Sequence, residues 1–324
     1  MTIPSGALRF NSDSRKLEYY NGEAWWQIDS FTPDSATGGA RGVFGGGYLA
    51  GGNVLDYVTI STTGNALDFG DLLLNFGITK SLSSATRGLW AGSRPNTNAI
   101  NFITISSTGN AQDFGDLSAS REDPAGTSNG TRGVFGGGQT IPTYTNIVDY
   151  ITISSTGDCK DFGDLTVQRD HQGSLSSSVR GVYSGGLTPP SAAPTNVIDF
   201  ITISTLGNAQ DFGDVAVASY GLSGCSNSVR GLFSLGGGGS GSNVINYITI
   251  ASTGNAQDFG DLTRNAYATA ATSSSIRGIF GGTYPASNVI DYVTIMSTGN
   301  AIDFGDLTVA RGHFDACSNG HGGL

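Results

Sequence analysis

The stretch that decides the fold is Val197-Ile198-Asp199-Phe200-Ile201-Thr202-Ile203. β-Branched and aromatic residues dominate it, and along an extended strand alternate side chains point to opposite faces. One face carries Val197, Asp199, Ile201 and Ile203, and the other carries Ile198, Phe200 and Thr202. Both faces are mainly apolar, so both need cover. A sheet lying between two similar sheets supplies it.

The stretch belongs to a unit that opens at Arg-Gly and recurs at Arg41, Arg87, Arg132, Arg180, Arg230 and Arg277, with spacings of 46, 45, 48, 50 and 47 residues. Each unit reads roughly Arg-Gly-Val-Phe-Gly-Gly, a loop, then Asn-Val-Ile-Asp-Tyr-Ile-Thr-Ile-Ser-Thr-Thr-Gly-Asn-Ala-Gln-Asp-Phe-Gly-Asp-Leu. Four strands are predicted per repeat: a, the Ser-rich run before the arginine (173–179); b, 132–136; c, 147–154; and d, 160–165. The Ser-Thr-Gly-Asn between c and d is a turn with Gly or Asn at positive φ. No segment keeps the apolar spacing of a helix. Four-stranded blades of this length set around an axis make a propeller; a β-solenoid, its competitor, has shorter coils.

The last residues bear on closure. Cys225-Ser226-Asn227-Ser228-Val229-Arg230-Gly231-Leu232 aligns with Cys317-Ser318-Asn319-Gly320-His321-Gly322-Gly323-Leu324, so the chain ends after a seventh strand a. Residues 32–40, ahead of the first Arg-Gly, make a poor strand a. The C-terminal segment is therefore expected to enter the first blade and close the ring, which removes exposed edges. The expected fold is all-β: a six-bladed β-propeller over residues 37–324, preceded by a small β-meander within 1–36.

Composition narrows the function. The chain has 16 Lys and Arg against 26 Asp and Glu, a net charge of −10, and no basic cluster to neutralise phosphates, so nucleic acid is not an expected partner. No apolar run reaches the length of a membrane span, and the first residues do not read as a signal peptide. Cys159, Cys225 and Cys317 are an odd, scattered set with no CxxC, expected as packed free thiols.

The unit resembles the kelch repeat over residues 40–324. The Gly-Gly doublets at Gly46-Gly47, Gly137-Gly138, Gly185-Gly186, Gly237-Gly238 and Gly281-Gly282, and the strand-c aromatics Tyr57, Phe102, Tyr150, Phe200, Tyr247 and Tyr292, carry the likeness. The kelch strand-d Trp is replaced by Phe69, Phe114, Phe162, Phe212, Phe259 and Phe304. Residues 4–28, Pro-Ser-Gly-Ala-Leu-Arg-Phe through Tyr-Tyr-Asn-Gly-Glu-Ala-Trp-Trp-Gln-Ile, resemble a short module of bacteriophage tail and fibre proteins. The repeats are similar to those of structural proteins of marine phages, cyanophages in particular. This resemblance implies a virion protein, assembled in the host cytoplasm and displayed on a tail fibre or capsid exterior. It does not name a ligand. About 25 residues build little core alone, so Trp25 and Trp26 are expected to dock on other virion proteins or on further copies of the chain, as in a homotrimer.

Several chemical motifs are weaker than they look. Asp-Phe-Gly-Asp opens at Asp68, Asp113, Asp161, Asp211, Asp258 and Asp303. A kinase would also need its Gly-rich loop, strand lysine and catalytic-loop Asp, and a motif present in every blade reads as architecture, although calcium stays open for it. The repeated arginine is expected to pair with Asp68-type or Asp56-type carboxylates. Ser-Thr-Gly-Asn-Ala-Gln-Asp-Phe is faintly like a sialidase Asp box without its final Trp. His171, His313 and His321 form no catalytic or metal-ligand spacing. Neither cofactor nor metal nor enzymatic activity is expected.

Alternating strand direction puts the b–c loops and d–a connections on one rim and the near-constant c–d turns on the other. The first rim differs from blade to blade, and binding residues concentrate on loops held by a rigid scaffold. Its candidate ligand-binding residues are Tyr48, Arg94, Asn96, Tyr144, His171, Tyr220, Tyr267 and Tyr284. The expected function is receptor binding: a host-surface polysaccharide stacked on aromatic rings. The alternative is a capsid decoration or tail-assembly protein with structural contacts only.

Overall fold

Residues 197–202 form the C-terminal part of a ten-residue strand, Ala193–Thr202, with Ile203 in the turn that follows. Its residues Ile198, Asp199, Phe200 and Ile201 are all buried, so both faces are covered. The computed structural model describes residues 3–11, 16–28, 40–48 and 52–324. The chain divides into two compact units, 1–39 and 40–324. The boundary expected between 36 and 37 lies outside the described residues.

The larger unit is built mainly of antiparallel sheets with the order a-b-c-d, one of them carrying a fifth short strand at Leu187–Thr188, beside a two-stranded hairpin of Gln139–Thr140 and Thr143–Tyr144. In one of them a is Ala125–Ser128, b Arg132–Gly136, c Ile147–Thr152 and d Lys160–Asp164. Six such sheets follow one another, and among the described residues the sole helical element is a 3-10 turn at Gly237–Gly239. No single sheet closes on itself. The first sheet takes its strand a from the C-terminal segment: Asp315–Ser318 pairs with Arg41–Gly45, Cys317 opposite Val43. Each strand a also lies beside two others. Asp315–Ser318 neighbours Lys80–Ser83, followed in turn by Ala125–Ser128, Gly173–Ser176, Ser223–Ser226 and Ala270–Ser273, and the last of these neighbours Asp315–Ser318.

The apolar core is shared out between sheets. One cluster joins Val43, Leu55 and Phe69 of the first sheet to Trp90, Ile103 and Ile105 of the second; another joins Phe280 and Val293 to Leu232 and Phe259. The Asp-Phe-Gly-Asp motif explains how neighbours lock. Its Phe is buried against the strand-c aromatic, as in Phe162 with Tyr150, ring centroids 6.2 Å apart. Its Gly lets the next sheet's turn approach: Gly115 has φ +141°, and a Cβ there would lie 2.5 Å from the Gly157 carbonyl oxygen. The Gly157 N–H donates to Phe114 O at 2.7 Å, and the Cys159 N–H to Asp116 O at 2.7 Å.

Contrary to the expectation from sequence, the repeated arginine forms no ion pair with Asp68-type or Asp56-type carboxylates among the described residues. It lies over its own sheet's strand-c aromatic and donates Nη1 to a carbonyl of the following sheet. Arg132, for example, stands 4.7 Å from the Tyr150 centroid and 2.9 Å from Ile203 O. A different set of arginines meets the strand-c aspartates, each reaching from the preceding sheet. Arg121 pairs with Asp149 at 2.9 Å, Arg169 with Asp199 at 2.8 Å, Arg264 with Asp291 at 2.6 Å and Arg311 with Asp56 at 2.9 Å. A hydroxyl from Ser118, Thr166, Thr263 or Thr308 donates to the same carboxylate. The two sheets carrying Asn instead receive backbone donors: Leu73 N–H to Asn101 at 2.9 Å and Ala216 N–H to Asn246 at 3.1 Å.

The smaller unit is a three-stranded sheet, Leu8–Asn11, Lys16–Tyr20 and Trp25–Ile28. Its second turn is held by the Asn21 side chain, which accepts from Glu23 N–H and Ala24 N–H at 2.9 and 2.8 Å, with Gly22 at φ +105°. The register gives its faces different chemistry. Arg9 pairs with Glu18 at 2.8 Å and covers Trp25 at 4.2 Å. On the opposite face Leu8, Phe10, Tyr19 and Trp26 are all exposed.

Candidate functional site

The d–a connections carry one left-handed residue each: Ile78, Asp123, His171, Gly221, Ala268 and His313, with φ between 52° and 69°. These residues hydrogen-bond in sequence. Asp123 N–H donates to Ile78 O, Ile78 N–H to His313 O, His313 N–H to Ala268 O, Ala268 N–H to Gly221 O and Gly221 N–H to His171 O. The bonds draw together connections that are far apart in the chain. Left-handed geometry costs non-Gly residues energy, most of all a β-branched one such as Ile78.

Below this string of residues, a polar cavity of about 60 Å³ runs between the six strands a, with room for about four waters. Lys80, Asp315 and serine hydroxyls line it. At its far end His321 Nε2 lies 3.2 Å from Ser83 O, and its Nδ1 accepts from Gly323 N–H at 3.0 Å. Burial lowers the His321 imidazole to about 4, so the ring is neutral there.

Above the left-handed residues, the b–c loops bring in their own side chains. His171 and His313, from connections half the chain apart, meet with centroids 5.8 Å apart. Tyr267 and Tyr284 pack on His313 at 5.3 and 5.2 Å, Tyr48 at 6.0 Å, and Tyr220 on His171 at 6.3 Å and on Tyr267 at 5.4 Å. Arg94 lies 5.9 Å over Tyr48. Six of the residues expected from sequence thus form one continuous surface: Tyr48, Arg94, His171, Tyr220, Tyr267 and Tyr284. Tyr267 is buried and supports the others from beneath, whereas Tyr284 is exposed. Tyr144 stands apart, on a small hairpin opposite Gln139. Burial, with a contribution from Asp170, raises its phenol. Asn96 makes none of these ring contacts, and its amide oxygen is buried without a hydrogen-bond partner.

The sequence reading missed the charges beneath this surface. Lys80 contacts Asp123 at 3.5 Å, His171 contacts Asp170 at 2.9 Å and Asp123 at 3.3 Å, and Arg94 faces Glu122 at 3.8 Å. Burial alone would lower the His171 imidazole, but Asp123 and Asp170 outweigh it and hold it at about 9. The His313 ring, buried and beside the His171 charge, falls to about 4. Burial raises Asp315 to about 6 against the pull of Lys80. Glu122 is also raised by burial, which Arg94 only partly offsets.

The surface is therefore divided. Tyr220, Tyr284, Tyr48 and His313, with Tyr267 beneath them, make an aromatic side, while the exposed Arg94 over the buried Glu122 and Asp170 makes a polar side. Among the described residues no group of three or more His, Cys, Asp or Glu is arranged to hold a metal ion. In the smaller unit, Trp25 sits under Arg9 and against Tyr20, while Trp26 is 56% exposed. No protein-family model and no curated protein matches the chain.

Proposed function

We propose that the six sheets are the blades of a kelch-like β-propeller and that the chain is a phage virion protein, a tail-fibre or receptor-binding component that takes a host-surface glycan on its variable rim. The cyclic succession of the strands a supports the propeller. The observation that carries the binding role is the convergence of Tyr48, Arg94, His171, Tyr220 and Tyr284, drawn from separate repeats, on one rim. The opposite turns, nearly identical in sequence, are occupied in sheet-to-sheet hydrogen bonds. The exposed Tyr284 ring and the half-buried Tyr48 and Tyr220 rings, beside an arginine and buried carboxylates, suit a sugar: the rings cover its apolar face and the polar groups bind its hydroxyls. The role is binding rather than catalysis.

The test is a glycan array and host-cell binding assay on the purified chain, with a Tyr48→Ala/Tyr284→Ala variant shown to keep its fold. Binding that this variant loses supports the reading. Absence of binding by the parent chain, with the protein still incorporated into particles, favours a structural virion role. One observation already favours contact with other virion proteins or further copies, namely the exposed apolar face of Leu8, Phe10, Tyr19 and Trp26.

A further inference from the structure

Arg94 and Glu122 face each other on the rim across 3.8 Å, with hydrogen-bonding capacity unmet on both. The Glu122 carboxylate is buried, and its Oε2 has no hydrogen-bond partner. Arg94 Nε is the nearest cation, 3.8 Å away, too far for a direct hydrogen bond and suited to a bridging hydroxyl or water. Arg94 itself is 47% exposed, and among the described residues its Nη groups donate to nothing. A buried acceptor without a donor is costly to leave unmet. Both backbones are held: the Glu122 backbone bonds Gln139 in both directions, at 2.9 and 3.0 Å, and the Arg94 N–H bonds Gly77 O at 2.6 Å.

Two fixed backbones therefore hold an outward-facing donor and an inward acceptor side by side, next to the ring of Tyr48. The local charges are close to balance: Arg94, Lys80 and His171 offset Glu122, Asp123 and Asp170. An added carboxylate or sulfate would meet Arg94 but also the three carboxylates, and an added ammonium would meet Glu122 but also Arg94, so either would unbalance the site. A neutral hydroxyl meets neither penalty and can accept from Arg94 while donating to Glu122.

Resting on the glycan-binding reading above, we infer that Arg94 and Glu122 form the specificity-determining pair of the rim site, selecting a neutral sugar that inserts a hydroxyl between them while its ring covers Tyr48. Glu122 is the acceptor and Arg94 the donor. Asp170, whose Oδ1 is also buried without a partner, extends the same polar side.

The test measures binding of the full chain to dextran and mannan as neutral probes, alginate and dextran sulfate as anionic ones, and chitosan oligosaccharide as a cationic one. Glu122→Gln and Arg94→Gln are compared with the parent, after thermal unfolding shows both fold as it does. The expected result is retention of a neutral probe, weakened about tenfold or more by either substitution, with alginate, dextran sulfate and chitosan bound more weakly. Neutral binding that Tyr48→Ala/Tyr284→Ala abolishes but Glu122→Gln leaves intact overturns the inference and spares the glycan-binding reading. Preference for a charged probe overturns it in the same way. Retention of none of the five, together with no signal on the glycan array, overturns both.

Discussion

At the scale of single residues, glycine at the third site of Asp-Phe-Gly-Asp is fixed by two requirements at once. Gly115 has φ +141°, and the space a Cβ would need holds the Gly157 carbonyl, with its oxygen 2.5 Å away. Gly115→Ala is therefore expected to cost roughly 2–4 kcal/mol, as a strained backbone combined with overpacking. Gly157→Ala, with the same φ problem but nothing within 4 Å of its Cβ, should cost less. Urea midpoints compare the two, and equal losses would mean that the close approach contributes nothing. The histidines give a pH signature. His171 rises from 6.5 to about 9 on folding, so its contribution is complete below pH 6.5 and is lost as pH climbs through 9. His313 and His321 fall to about 4, so the unfolded chain takes up their protons first and stability drops as pH falls from 6.5 towards 4. Asp315, raised to about 6, opposes that acid loss, because its own contribution is present at low pH and fades as pH rises through 6. Stability should peak near pH 6.5, and His171→Gln should flatten the alkaline limb by an amount on the order of 3 kcal/mol. An unchanged alkaline limb in melts from pH 6 to 10 would remove His171 from the account.

At the scale of elements, the link between one sheet's strand d and the next sheet's strand c comes in two matched versions. Asp149 receives Arg121 and the Ser118 hydroxyl, whereas Asn246 receives the Ala216 N–H and has Ser219 at the arginine's place. Charge and counter-charge are present together or absent together. Asp149→Asn would leave the Arg121 guanidinium, fully buried, with carbonyls alone, a loss expected near 3–5 kcal/mol. The triple change Ser118→Ala/Arg121→Ser/Asp149→Asn copies the neutral version and should recover at least half of that in denaturant unfolding; a triple variant weaker than the single one would sink the matched-set account. Strand positions were legible beforehand because alternation and turn residues are local: 132–136 was expected and Arg132–Gly136 is observed. Strand a, Gly173–Ser176, ends three residues before the expected 179, because Ser177 leaves the ladder to accept from Val179 N–H and Arg180 N–H. Which arginine meets which aspartate was not legible. Two arginine sets are available, and the choice depends on the offset between neighbouring sheets, which no spacing within one repeat encodes. The rim tyrosines could be picked out because their loops differ from repeat to repeat. Glu122, Asp170, Lys80 and His313 gain meaning only when six distant connections meet.

At the scale of the whole molecule, the C-terminal segment has more to hold than one sheet. Asp315–Ser318 supplies the first strand beside Arg41–Gly45, Gly312 O accepts from Tyr48 N–H at 3.0 Å, and His313 bonds Ile78 and Ala268. The Arg41 N–H donates to the Asn319 side chain at 2.8 Å, and Ser318 Oγ donates to Ser273 O. Removing residues 312–324 would uncover the edge of Arg41–Gly45 and also sever the neighbours on both sides, Lys80–Ser83 and Ala270–Ser273. Every interface in such an array depends on its neighbours, so the loss is not confined to one repeat. The shortened chain is expected to lose its cooperative urea transition and to self-associate through the open edge, as sedimentation would show. A synthetic peptide of residues 312–324 added in trans should restore both a single transition and the monomer, since the strand bonds through its backbone and needs no covalent link to Arg311. The rescue should be saturable and should fail for a peptide carrying Pro at 317, which removes an N–H donor from the strand and rigidifies it. A shortened chain that unfolds at the parent's midpoint without the peptide would show that the array holds as five complete sheets and one incomplete one, and the closed-ring reading would then have to be given up.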